Sequence, residues 1–138
     1  MQASEGRYYL HEHPRGAASW KQECIVQLAA SDPNAQLVST DMCQFGLMVK
    51  DRSGRVIGRA MKPTRWLTNS PAIAKELDRK CCGGHEHVHM LNGLAKQGQI
   101  YPVQLCQAIV RGLSKQIQHD QQVARETLNV EQVKSLPA

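Results

Sequence analysis

Aromatic residues are scarce in this sequence: one Phe, two Trp and three Tyr in 138 positions, 4% of the chain. Its 41% of hydrophobic positions is therefore mostly aliphatic. Long apolar runs are missing as well. No stretch approaches the roughly 18 residues that a membrane-spanning helix requires, and the opening MQASEGRYYLHEH has no apolar segment of the signal-peptide kind. The expectation is an intracellular protein, cytoplasmic or nuclear, with no membrane partner and with reduced thiols. Five cysteines, an odd number at irregular spacing, argue against a disulfide framework and point to core thiols or metal ligands. The sequence has no GxGxxG, no P-loop pattern and no serine in a nucleophile elbow, so nothing local marks a nucleotide-cofactor site. Internal repeats are also absent. At this length the chain makes one domain or part of one.

Acidic residues are the minority, 12 against 17 Lys and Arg, for a net charge of +5. The excess is concentrated. Residues 50 to 80 carry nine basic side chains and three acids. Lys50, Arg52, Arg55, Arg59, Lys62 and Arg65 make its first part, an electrostatic footprint that phosphates can read. Nucleic acid is the partner this charge implies, with a solvated hairpin on a basic protein as the alternative.

Along the chain, GRYYLHEHP alternates as a short strand ended by Pro14. AASWKQECIVQLAAS has helical spacing, with Trp20, Cys24 and Leu28 on one stripe and Ser19 as cap. AQLVSTDM and FGLMVKD read as strands, and DRSG between LMVK and RVIG is a hairpin signal. RWLTN is another strand. SPAIAKELDRK starts a helix with Asn69 or Ser70 as cap and Pro71 at the first position, burying Ile73 and Leu77. YPVQLCQAIVRGLSKQI is the clearest helix, with Leu105, Ile109 and Leu113 beside Cys106, Val110 and Ile117 on one apolar face. Residues 120–138 turn polar and Gln-rich and read as a loose tail.

The segment CCGGHEHVHM holds two cysteines and three histidines in ten positions. In an extended run His85, His87 and His89 share one face, so a pair of them can meet one cation. Gly83 and Gly84 allow Cys81 or Cys82 to turn toward the same ion. Cys43, in DMCQFG, is a candidate fourth ligand for a structural zinc. With three ligands and a water the same cluster becomes a hydrolytic site, with Glu12 or His85 activating water as a metal-dependent nuclease would. Glu12, between two histidines in HEHP, stands where an α/β active site places a carboxylate.

RYYLHEHPRGAASW, DMCQFGL, KPTRWLTNS, CCGGHEH and IYPVQLCQAI, taken in this order over roughly residues 6 to 113, resemble segments of copia-type retroelement polyproteins. In those polyproteins a proline–proline–cysteine loop like that of DNA cytosine methyltransferases lies just upstream. The chain is also similar, more weakly, to the C-terminal half of those methyltransferases. HEHP looks like their glutamate strand, which implies that Glu12 is a vestige of the residue that steadies a flipped base. KPTRWLTNS is similar to their arginine-bearing strand, which implies that Lys62 and Arg65 approach DNA. Two departures stand out: His13–Pro14 replaces the family's asparagine–valine, and the nucleophilic cysteine loop and first cofactor strand are missing. The resemblance therefore implies a chain inactive in isolation, using S-adenosylmethionine only if the missing N-terminal half is supplied. Cys43, Cys81, His85 and His87 match the recurring positions of the retroelement segment, which implies a Cys2His2 zinc brace.

The expected fold class is α/β: an incomplete Rossmann-like, methyltransferase-like half-domain with a β-hairpin and a Cys/His zinc-like loop. It spans 1–119, with the polar tail at 120–138. Its expected associations are the upstream half of the polyprotein domain, or a second copy through an exposed strand edge. The alternative is a self-sufficient zinc-dependent nucleic-acid-binding module.

Overall fold

A computed structural model describes residues 3–91 and 93–137. Strand β1 (Leu10–Pro14) leads through a 3-10 turn (Ala18–Lys21) into helix α1 (Glu23–Ser31) and strand β2 (Gln36–Asp41). A second 3-10 turn (Met42–Phe45) precedes β3 (Met48–Lys50), β4 (Val56–Arg59) and β5 (Pro63–Thr68). Helix α2 (Pro71–Leu77), a 3-10 stretch (Leu94–Gln99) and helix α3 (Val103–Lys134) complete the chain. The result is a mixed α/β structure with two small sheets, one of order β1-β5-β2 and the other the β3–β4 hairpin.

The larger sheet corrects the Rossmann-like expectation. Both of its pairings are antiparallel, with Glu12 opposite Trp66 and Trp66 opposite Val38. β1 and β2 do run the same way and α1 does connect them, which is why the element order reads as a parallel unit. Strand β5 lies between them in the opposite direction, making a split β-α-β arrangement instead. The two faces of the sheet divide the residues of β1. Leu10 and Glu12 share a face with Trp66, Val38 and Thr40, while His11 and His13 share the other with Leu67, Arg65 and Leu37.

The first face is the core side. Trp66, Met42, Phe45, Leu47, Val49, Ala60, Ile73, Leu77, Leu105 and Ala108 form one buried cluster. Its polar atoms are paired: Trp66 Nε1 donates to Thr40 Oγ1 at 3.0 Å, and that hydroxyl donates to the Leu77 carbonyl. Among the described residues no helix is long and apolar enough to cross a membrane.

Three helix readings change in the structure. The run from 17 to 31 is broken at Gln22, whose backbone is extended, so α1 begins only at Glu23. Ser19 caps nothing. Its hydroxyl is buried without a partner, and Trp20 instead donates Nε1 to the Pro14 carbonyl at 2.9 Å. On α3 the buried stripe is Leu105, Ala108, Gly112 and Gln116, leaving Val110 and Ile117 exposed. Small residues win this contact because α2 lies so close. A Cβ on Gly112 would sit 2.8 Å from the Ile73 Cα. Finally, the expected loose tail is helical through Lys134, although every side chain described beyond Gln116 is exposed. Helix α2 matches its reading: Ser70 Oγ accepts from Ile73 N at 3.2 Å and Pro71 opens the first turn.

Glu76 ties the two helices together. Its carboxylate accepts from Arg111 Nε and Nη2 at 3.0 and 2.8 Å and from Lys115 Nζ at 2.8 Å. The Arg111 hydrogen bonds, followed by that from Lys115, hold its pKa down at about 2. A depressed carboxylate contributes stability above its ordinary pKa of 4.5, and that contribution is lost as pH falls toward 2. Glu76→Gln should therefore lower stability at pH 7 and flatten the decline between pH 5 and pH 2; a variant with an unchanged acid limb would contradict the linkage. Gly112→Ala should cost about 1–3 kcal/mol in urea unfolding through overpacking. That loss exceeds the propensity gain of about 1 kcal/mol for Ala in a helix, so a more stable variant would contradict the close approach.

Candidate metal centre

Two separate segments deliver the candidate ligands. Cys43 lies in the 3-10 turn that β2 runs into, and its side chain is buried. Cys81 follows α2, where the backbone is pinned to β2 at two points. Asp41 N donates to the Arg79 carbonyl at 2.9 Å, and Cys81 N donates to Asp41 Oδ2 at 2.8 Å. His87 pairs as an isolated parallel bridge with Arg59 of β4, secured by Val88 N donating to the Arg59 carbonyl at 2.7 Å. His85 stands two residues before it on the same side, its ring 4.7 Å from that of His87 and nearly perpendicular.

These four residues offer donor atoms that all lie within 4.8 Å of one another. Cys81 Sγ is 3.6 Å from His85 Nε2 and 3.4 Å from His87 Nε2. A tetrahedral zinc with Zn–S near 2.3 Å and Zn–N near 2.0–2.1 Å would set sulfur and nitrogen ligands about 3.5 Å apart. The donor set and its spacing fit a metal ion. The surroundings fit as well. Gly83 adopts a left-handed φ of 75° and aims its N–H at Cys81 Sγ at 3.3 Å, and Gln44 Nε2 lies 3.9 Å from Cys43 Sγ. Donors to sulfur suit a thiolate and do nothing for a thiol in an apolar core. In the absence of a cation, burial pushes the Cys43 thiol up, and the adjoining Cys81 adds to the effect. Burial, then the nearby Arg59 and His87, lowers the His85 pKa, which favours the neutral imidazole, the form that ligates.

Cys82 and His89 are exposed and stay outside the group, so the choice between Cys81 and Cys82 and among the three histidines is resolved by position. Glu12 is not a member of it either. It lies on the core side of the sheet, where its carboxylate accepts from Tyr101 Oη at 3.0 Å. Burial first, then the Glu12 charge, raises the Tyr101 phenol. This pairing joins positions 89 residues apart and has no local sequence signal.

The basic residues separate into two groups. Lys50, Arg52, Arg55 and Arg59 are exposed on the β3–β4 hairpin. Its turn is organised by Asp51, whose Oδ1 accepts from Ser53 N, Ser53 Oγ and Arg55 N. Lys62 and Arg65 are half-buried and already engaged. Lys62, with a left-handed φ of 36°, donates to the Gly98 carbonyl, and the Arg65 guanidinium lies 5.7 Å from the Trp20 ring centre. Around that tryptophan on the outer face of the sheet stand His11 and His13, with ring centres 5.2 and 6.4 Å from it.

No family model, curated protein or solved structure matches the chain.

The bridge from β4 to His87 depends on Gly58. Its φ is 153°, and a Cβ there would lie 2.5 Å from Val88 Cγ2. Gly58→Ala should push the 85–88 segment off the hairpin and weaken metal affinity by tenfold or more, measured by competition with a chromophoric chelator. Cys82→Ser, which removes a thiol outside the group, should leave the affinity unchanged. Equal affinities for wild type and Gly58→Ala would contradict the bridging role.

Proposed function

We propose that this chain is a zinc-braced nucleic-acid-binding module, with the β3–β4 hairpin as its phosphate-contacting element. The observation that carries the reading is the direct link between the two features. Arg59 is at once the hairpin's last exposed cation and the residue that bridges to His87 of the four-ligand group. A cation held by Cys43, Cys81, His85 and His87 would fasten the hairpin to the turn after β2 and to the loop after α2. A two-stranded hairpin has little stability alone. Fixed at its base, it presents Lys50, Arg52, Arg55 and Arg59 as a preorganised surface, and the ordering cost is met by the metal rather than at binding.

Zinc suits the donor set better than a hard cation, because two thiolates and two imidazoles are borderline-soft ligands. Four protein ligands close the coordination sphere, so the ion's role in this reading is structural. Bound zinc would supply folding free energy here and no activated water. The resemblance to retroelement polyproteins agrees with a chain that handles nucleic acid as part of a larger polypeptide. The methyltransferase-like reading finds less support. Glu12 is engaged by Tyr101, and the antiparallel sheet lacks the row of parallel strand ends at which such enzymes form their crevice.

Two measurements test the proposal. Chelation of the purified chain should abolish its cooperative melting transition, since metal binding and folding are one equilibrium in such sites; an unmoved melting curve would contradict the brace. Binding to a fluorescent 30-mer DNA should weaken steeply with salt, with a log–log slope near 0.9 per phosphate contacted. Replacing Lys50, Arg52, Arg55 and Arg59 by Gln should flatten that slope by about 3 to 4. A slope indifferent to the four substitutions would contradict the hairpin's role.

A further inference from the structure

A second concentration of positive charge lies away from the hairpin, between α2 and α3. Lys75 and Arg79 of the α2 region and Lys115 and His119 of α3 line an open groove of about 470 Å³, with Ala72 and Glu76. Arg111 reaches Glu76 from beside the groove. Three cationic side chains, Arg79, Arg111 and Lys115, thus meet a single carboxylate. That carboxylate is fully used: Arg111 takes one oxygen with two hydrogen bonds and Lys115 takes the other. Its pKa of about 2 keeps it ionised, so the pairs persist across the physiological range. What remains is cation without an anion. Lys75 is exposed and has no hydrogen-bond or ion-pair partner among the described residues. Arg79 meets Glu76 only at 3.9 Å and is 42% exposed.

Arg79 is also held in place. Its guanidinium lies 4.6 Å from the centre of the buried Phe45 ring, so its planar fork is oriented before any ligand arrives. Its carbonyl accepts from Asp41 N, and two residues later Cys81 enters the metal group. The brace that positions the hairpin therefore also positions this arginine.

We infer that the α2–α3 groove binds a phosphate group through Lys75 and Arg79, with Lys115 and His119 on the opposite wall, and that in the working protein this phosphate belongs to the nucleic acid backbone. The inference rests on the proposed nucleic-acid function for the source of the phosphate, though not for the phosphate chemistry itself. A backbone phosphate here gives the module a second point of contact, which fixes the orientation of the strand that the hairpin engages.

The test uses the full metal-loaded chain. Lys75→Glu changes an exposed residue on α2 and should leave the melting curve alone. In the DNA titration it should weaken binding and lower the salt slope by about one. Arg79→Gln should act in the same direction. In parallel, inorganic pyrophosphate should shift the amide signals of Ala72, Lys75, Arg79 and His119 in a saturable manner. If both variants bind DNA with wild-type affinity and slope while the hairpin variant is still impaired, the groove is overturned as a contact and the nucleic-acid function stands. If wild type binds no DNA but pyrophosphate shifts those amides and Lys75→Glu abolishes the shifts, the phosphate site is upheld, and its ligand is a free phosphorylated molecule. Absence of both effects overturns the site altogether.

Discussion

Two thiols and two imidazoles from two stretches of chain meet within 4.8 Å, and the proposed function rests on that convergence. Among the described residues, the segment between α2 and the 3-10 stretch at Leu94 has almost no regular structure of its own, only the single bridge from His87 to Arg59. Holding such a segment still costs conformational entropy on the order of 1–2 kcal/mol per residue. Isolated hydrogen bonds, each worth about 1 kcal/mol net, do not offset this. A structural zinc site, at about 10–16 kcal/mol apparent, is the largest single contribution such a segment could receive. One ion would thus hold in register the hairpin, the turn after β2 and the loop that carries Arg79.

Positive charge is then distributed by the fold rather than by the sequence run in which it occurs. Six basic residues from Lys50 to Arg65 look continuous in the chain, yet only the four on the hairpin are exposed. Arg65 turns to the outer face of the sheet beside Trp20, and Lys62 is engaged by the Gly98 carbonyl. The strand period accounts for the separation: within β5, Arg65 and Trp66 face opposite ways, and Trp66 belongs to the core. Meanwhile Lys75 and Arg79, from later in the same basic stretch, join Lys115 and His119 from a helix some 40 positions away.

Local chemistry was legible in the sequence wherever it is local. The hairpin turn at Asp51–Arg55, the Ser70–Pro71 helix start and the ligating character of the Cys81–His89 segment all depend on residues whose conformational or ligating preference is strong by itself, whereas which cysteine and which histidines converge with Cys43 depends on the fold. What could not be read depends on pairing at a distance. The β-α-β order around α1 gives no sign that β5, arriving later, will separate β1 from β2 and make both pairings of that sheet antiparallel. The apolar rows on α3 suggested a face through Val110 and Ile117, but the α2 contact selects the small residues Ala108 and Gly112 because backbones approach there. Likewise, nothing near Glu12 announces Tyr101, and nothing near Glu76 announces Arg111. The helix beyond Asp120 is a different case: Tyr8 meets Asp120, but every described side chain from there to Lys134 is exposed, so no buried stripe patterns it and its polar composition reads as a loose tail although its backbone is helical.

X-ray absorption at the zinc edge of the purified chain examines the converging donors most directly. One zinc per chain with two sulfurs at about 2.3 Å and two nitrogens at about 2.0 Å is the expected result. A coordination shell of nitrogen and oxygen alone, or zinc that remains bound with the same shell after Cys43→Ala and His87→Ala, would contradict it.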